Sequence, residues 1–136
     1  MLIQSIHHMT WKCRDIEETR DFYDEILGLP MVHLETHDMS PDGESYLQYK
    51  KIYFELGDGS FLSFCDLGDN LGAKTDTEEW VVDIALAVDS EQELLYGKTR
   101  LEACGVGVIG PIEHELFKSI YFFDPNGLKV ELVYKK

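Results

Sequence analysis

Basic residues are scarce in this chain: 12 lysines and arginines stand against 26 aspartates and glutamates, a formal charge of -14. A surface so acidic repels phosphate backbones, so nucleic acid is not an expected partner. It also slows the approach of an anionic substrate and favours a neutral or cationic one, unless the charge serves only solubility. Long hydrophobic runs are missing as well. No apolar stretch approaches the roughly 20 residues that cross a bilayer, and the chain enters an alternating segment almost at once, so neither a membrane partner nor a signal peptide is expected. Cysteine is limited to Cys13, Cys65 and Cys104, an odd number set within apolar segments. Free buried thiols in a reducing cytoplasm are the reading, rather than a disulfide framework. What is present, 136 residues with 44% hydrophobic content, suits one compact globular domain or two small repeats.

The repeat is legible directly. Ile52-Tyr53-Phe54 recurs as Ile120-Tyr121-Phe122, and a turn glycine follows each copy at the same offset, Gly59 and Gly127. Upstream, His8 precedes Asp15 by seven residues and Asp83 precedes Ser90 by seven. Each half reads strand, helix, three strands. In the first, Ile3 to Cys13 alternates as a strand. Asp15 and Glu18 form a capping box for a helix whose buried stripe is Ile16, Phe22, Tyr23, Ile26 and Leu27, with Gly28 and Pro30 ending it. Strands follow near Met31 to His37, Ser45 to Leu56 and Phe61 to Leu67, the last two joined by a hairpin turn at Gly57-Asp58-Gly59. The polar stretch 68–78 reads as a linker. The second half repeats the order: a strand from Trp80 to Val88, and a helix capped by Ser90 and Glu93 with Leu94, Leu101 and Cys104 on its apolar face. Strands near Val106 to Ile112, Ser119 to Phe123 and Lys129 to Tyr134 follow. The expected fold is α+β: paired βαβββ modules, 1–67 and 79–136, making a single domain over 1–136 with a curved mixed sheet forming a cup.

Strand parity sorts the side chains into two faces. Val82, Ile84, Leu86 and Val88 should pack on a helix, as should Leu128, Val130 and Leu132. His8, Ser63, Asp83 and Glu131, two pairs of repeat-equivalent positions, all fall on the face away from the helices. His8, Asp83 and Glu131 offer one imidazole and two carboxylates, a charge-neutral set for a divalent ion. Its hard character favours Fe²⁺ or Mn²⁺, with Mg²⁺, Ni²⁺ or Zn²⁺ also possible. Three protein ligands leave positions open for substrate and water. The plainer alternative is a strand histidine beside two exposed carboxylates. Tyr121 and its mate Tyr53 share the face of Glu131, so either phenol could orient a substrate or simply pack. His114 precedes that strand and could carry a proton near neutral pH, or be an exposed loop histidine. Cys65 reads as a small buried hydrophobe, and His7, His33 and His37 are assigned no ligand role.

The segments His8-Met9-Thr10-Trp11-Lys12-Cys13-Arg14-Asp15, Asp21-Phe22-Tyr23 and Leu27-Gly28-Leu29 resemble the opening of a vicinal oxygen chelate protein. The ending Tyr121-Phe122-Phe123-Asp124-Pro125-Asn126-Gly127-Leu128-Lys129-Val130-Glu131-Leu132 resembles that superfamily's closing hairpin. Its members include glyoxalase I, bleomycin-resistance proteins, fosfomycin-resistance enzymes and extradiol dioxygenases. The resemblance implies paired modules around a metal that chelates vicinal oxygens of a small-molecule substrate. His8 falls at the first ligand position and Glu131 at the last, while Asp83 stands where the family usually has histidine. Ser63 replaces a fourth ligand, which disfavours a four-ligand isomerase site. Tyr121 lies where the dioxygenases carry a substrate-orienting tyrosine, and His114 is near the place of a helpful histidine. The implied function is a metal-dependent dioxygenase- or glyoxalase/lyase-like enzyme, commonly a homodimer. The rival reading is a metal-free binding protein of the bleomycin-resistance type.

Overall fold

The structure, a computed structural model, describes residues 1–72 and 83–136. The chain divides into two compact units, Met1–Ala73 and Lys74–Lys136. In the first, β1 (His8–Cys13) leads into α1 (Ile16–Arg20), which widens to a π-helical turn over Asp21–Ile26; β2 (Met31–Met39), β3 (Tyr46–Glu55) and β4 (Phe61–Asp66) follow. Its sheet runs β1-β4-β3-β2, with β1 parallel to β4 and the other pairs antiparallel. The second unit contains β5 (Ile84–Val88), α2 (Glu91–Ala103), β6 (Ile109–Glu113), β7 (Phe117–Phe123) and β8 (Lys129–Lys135). Its order, β5-β8-β7-β6, has the same mixture of one parallel and two antiparallel pairs. The fold is α+β, two βαβββ modules each with a four-stranded mixed sheet.

Each helix covers one sheet face with the residues that parity selects. Tyr23 is fully buried, its ring 4.8 Å from Phe64 and 5.5 Å from Phe54. Withdrawing such a ring from water is worth about 2–3 kcal/mol. In the second unit Leu94 and Leu101 of α2 are buried with Val130 and Leu132. Gly97 lies so near that sheet that an added Cβ would meet Leu132 Cδ1 at 3.0 Å. The duplicated triplets behave alike: Ile52, Phe54, Ile120 and Phe122 are all buried, leaving Tyr53 and Tyr121 to the opposite faces. Gly59 and Gly127 both take φ +85 in their turns, a conformation that L side chains rarely adopt.

Several boundaries differ from the sequence pattern. The first strand pairs only from His8, since its parallel partner β4 begins at Phe61, just after the hairpin turn. Ile3 and Ile6 remain exposed despite the alternation. Asp15 caps α1 by accepting from Glu17 N and Glu18 N, but the Glu18 carboxylate pairs with the Arg14 guanidinium at 2.7 Å. Ser90 caps α2 through Glu93 N. Cys104, expected on the apolar face of that helix, is exposed. It sits at the cap, where the helix stops and the chain turns at Gly105 with φ +83. Among the three free thiols only Cys13 is buried, and burial pushes it up to about 12. Most of the 68–78 linker, together with Trp80 and Val82, lies outside the described residues.

Candidate functional site

The open face of the second sheet gathers four of the five residues singled out from sequence. β7 and β8 pair Tyr121 directly with Glu131, and the alternation that buries Val130 and Leu132 against α2 turns Glu131 the other way. Its carboxylate is 7% exposed and accepts a hydrogen bond from the Ser119 hydroxyl, two residues from Tyr121 on the same face. Asp83, just ahead of β5, shares a hydrogen bond with Glu131. Burial first, then that bond to a second acid, raises Glu131 above the ordinary carboxylate range; the Ser119 hydroxyl and Tyr121 phenol pull the other way. A neighbouring acid beside a carboxylate withdrawn from water raises that carboxylate's hold on a proton.

Tyr121 continues the network. Its hydroxyl lies 2.9 Å from His114 Nε2, and burial, followed by the charge of Glu131, raises the phenol above its usual value. His114 is half-buried at the β6–β7 turn, stacked on Phe117 with ring centroids 4.5 Å apart. The exposed-loop alternative for this histidine is therefore not what the chain adopts. A cleft of about 380 Å³ opens over the group, lined by Asp83, Ile109, Ile112, Tyr121, Phe123, Lys129 and Glu131. Its apolar wall comes from the register shift between Ile109 and Ile112. Gly110 makes that shift possible: at φ +112, a Cβ would stand 2.8 Å from Ser119 O.

The first unit carries the remaining candidates. His8 is exposed at the start of β1, its Nδ1 2.8 Å from His7 Nδ1 and its ring edge-on to Tyr53. Ser63, the repeat mate of Glu131, is buried and already engaged, 2.7 Å from Thr10 Oγ1 and donating to Met9 O at 3.0 Å. Its one proton is committed to Met9 O, and the residue is fully buried, so it offers no donor to a ligand. Cys65 is half-buried, its thiol raised by burial despite Lys51 nearby, as suits a small hydrophobe.

Sequence reasoning passed over three features. Ser119 and Lys129 carry no motif, and only the pairing of β7 with β8 reveals them. His33, Glu35 and His37 alternate on β2 and so share a face; Glu35 binds His33 Nε2 at 3.2 Å and His37 Nε2 at 2.8 Å. That i, i+2, i+4 spacing was visible in the sequence. The Cα atoms of His33 and His37 are about 13 Å apart by strand geometry, yet both imidazoles lean in to share the one Glu35 carboxylate between them.

Within either unit, among the described residues, no three His, Cys, Asp or Glu side chains are arranged to hold a metal ion. Asp83 and Glu131 nonetheless fit a divalent cation by their chemistry. They are two hard oxygen donors held against each other, and a cation would compete with the proton that Glu131 holds.

The family description "Glyoxalase/Bleomycin resistance protein/Dioxygenase superfamily" matches residues 5–132. No curated protein matches the chain. Among solved structures, a glyoxylase/bleomycin resistance protein/dioxygenase domain from a Frankia species aligns with TM-score 0.80 at 17% identity, covering 99% of this chain and 100% of that one. An antibiotic binding protein from a Streptomyces species aligns at 0.71 and 20% identity, covering 100% and 99%. A lactoylglutathione lyase from Agrobacterium tumefaciens aligns at 0.68 and 20%, covering 97% and 94%. Among the described residues no helix is long and apolar enough to cross a membrane.

Proposed function

Because the chain belongs to the glyoxalase/bleomycin resistance protein/dioxygenase superfamily, we propose that it is a divalent-metal-dependent enzyme, dioxygenase-like or glyoxalase/lyase-like, acting on vicinal oxygens of a small molecule. The observation that carries this reading is the buried Glu131 bonded to the half-buried Asp83, with Tyr121 and His114 leading away from it. Asp83 and Glu131 hold the ion, Fe²⁺ or Mn²⁺ in preference, and His8 is the proposed third ligand. The bound ion supplies Lewis-acid polarisation of substrate oxygens. Ser119 fixes the Glu131 carboxylate, so that one oxygen stays aimed while the other faces Asp83. Tyr121 donates toward a substrate oxygen in the cleft while its own oxygen accepts from His114 Nε2–H, giving a proton path between the β6–β7 turn and the cleft. Ile109, Ile112 and Phe123 keep water from one side of the substrate.

A second reading, a metal-free protein that sequesters a small molecule, draws on the acidic balance of -14 and on the antibiotic binding protein among the fold's relatives. Family kinship further leads us to read both modules as one domain and the protein as a homodimer, which light scattering checks. Its three free thiols agree with a cytoplasmic site of action. Metal analysis after anaerobic reconstitution with Fe²⁺ or Mn²⁺ separates the two functions. The enzyme reading predicts about one equivalent retained per chain after desalting. Retention below about one-tenth equivalent, with small-molecule binding intact, would establish the binder instead.

A further inference from the structure

Among the described residues lining the 380 Å³ cleft, Lys129 is the single cation. In a chain of net charge -14, acidic partners are abundant. Lys12, Lys118 and Lys136 each reach a carboxylate within 4.0 Å, at Asp69, Glu91 and Glu113. Lys129 makes no ion pair among the described residues. Asp83 lies alongside it, since the β5–β8 register that pairs Ile84 with Val130 runs back toward these two, yet Asp83 turns to Glu131 instead. The ammonium is held over the Tyr121 ring, 4.9 Å from its centroid. It is therefore kept above the cleft floor by a contact that leaves its donors open.

Resting on the functional reading above, we propose that Lys129 selects the substrate class: a small molecule with an apolar body and a carboxylate, the carboxylate bonding Lys129. Lys129 and Glu131 alternate on one face of β8, about 7 Å apart by strand geometry. That gap separates an anionic group at Lys129 from the reacting oxygens near Glu131 by roughly the width of one ring. The apolar body lies against Ile109, Ile112 and Phe123, whose side chains are 57%, 38% and 37% exposed in the empty cleft. The acidic surface as a whole slows such a ligand's approach without abolishing its preference once inside. The selectivity is local, and it runs opposite to what net charge alone suggests.

Binding of phenylacetate, phenylacetamide and phenethylamine, measured calorimetrically on the full chain with and without Mn²⁺, tests this. Phenylacetate should bind about tenfold tighter than the other two, the worth of one charge-assisted hydrogen bond. Lys129→Gln should remove that preference and Lys129→Arg should keep it. Equal affinities, preference for the amine, no binding by any of the three, or a preference that survives in Lys129→Gln each overturn the proposal. Metal retention reads out the functional reading separately. A protein that prefers phenylacetate but holds no metal leaves Lys129's role standing, whereas one that holds metal without the preference removes it.

Discussion

Glu131 is subject to two opposing demands: its strand position buries it, and its carboxylate must remain able to bind a cation. Burial and the bond to Asp83 raise its proton affinity, so in the metal-free protein the folded state holds this proton more tightly than the unfolded chain does. Stability is then greatest below the ordinary carboxylate value of 4.5 and is lost as pH rises toward the raised native value. Lowered carboxylates such as Glu35 and Glu113 act in the opposite direction. The prediction therefore concerns a difference: stability of wild type minus Glu131→Gln should fall with pH across that window in chemical denaturation, and a flat difference would contradict it. Tyr121→Phe removes the hydroxyl that meets His114. It should cost about 1 kcal/mol of stability and lower turnover about a hundredfold with metal content unchanged. Parity and repeat position led to Glu131, Asp83 and Tyr121. Ser119 and Lys129 stayed hidden because a serine and a lysine on a strand look the same whether or not a neighbour gives them work.

At the scale of elements, alternation and capping signals carried most of the fold. Ser90 and Asp15 cap the helices, and the paired triplets fix which strand residues face α1 and α2. The errors have local causes. The apolar alternation at Ile3 and Ile6 lies ahead of the start of the partner strand, so pairing begins only at His8. The π-helical widening at Asp21–Ile26 leaves no compositional mark, and the β6 irregularity depends on contacts with β7 that spacing does not reveal. Gly110 is the residue on which that irregularity turns. Gly110→Ala should destabilise by about 2 kcal/mol or more, through its positive φ and the 2.8 Å approach to Ser119 O. The same variant should weaken metal retention by displacing Ser119 from Glu131. Thermal unfolding together with metal analysis checks both, and an unaltered melting temperature would count against this account of the turn.

For the molecule as a whole, duplication supplies two equal units, and divergence decides which carries chemistry. Tyr53 and Tyr121 remain matched, each with a lysine near 5 Å from its ring at 5.0 and 4.9 Å. Glu131 and Ser63 have parted: one is hydrogen-bonded to a second carboxyl, the other to a threonine hydroxyl and a backbone carbonyl. Sequence alone identified the equivalent positions but not what each would meet, because that depends on the neighbours the sheet supplies: Thr10 and Met9 O for Ser63, Ser119 and Asp83 for Glu131. The account rests on Asp83 and Glu131 acting as one oxygen-donor pair for a divalent ion. An anaerobic calorimetric titration with Mn²⁺, run in two buffers of different ionisation enthalpy, measures this directly. We predict about one ion bound per chain, with proton release that grows as pH is lowered toward the raised Glu131 value, and loss of binding in Asp83→Asn and Glu131→Gln. Mn²⁺ binding that survives both substitutions undiminished would contradict it.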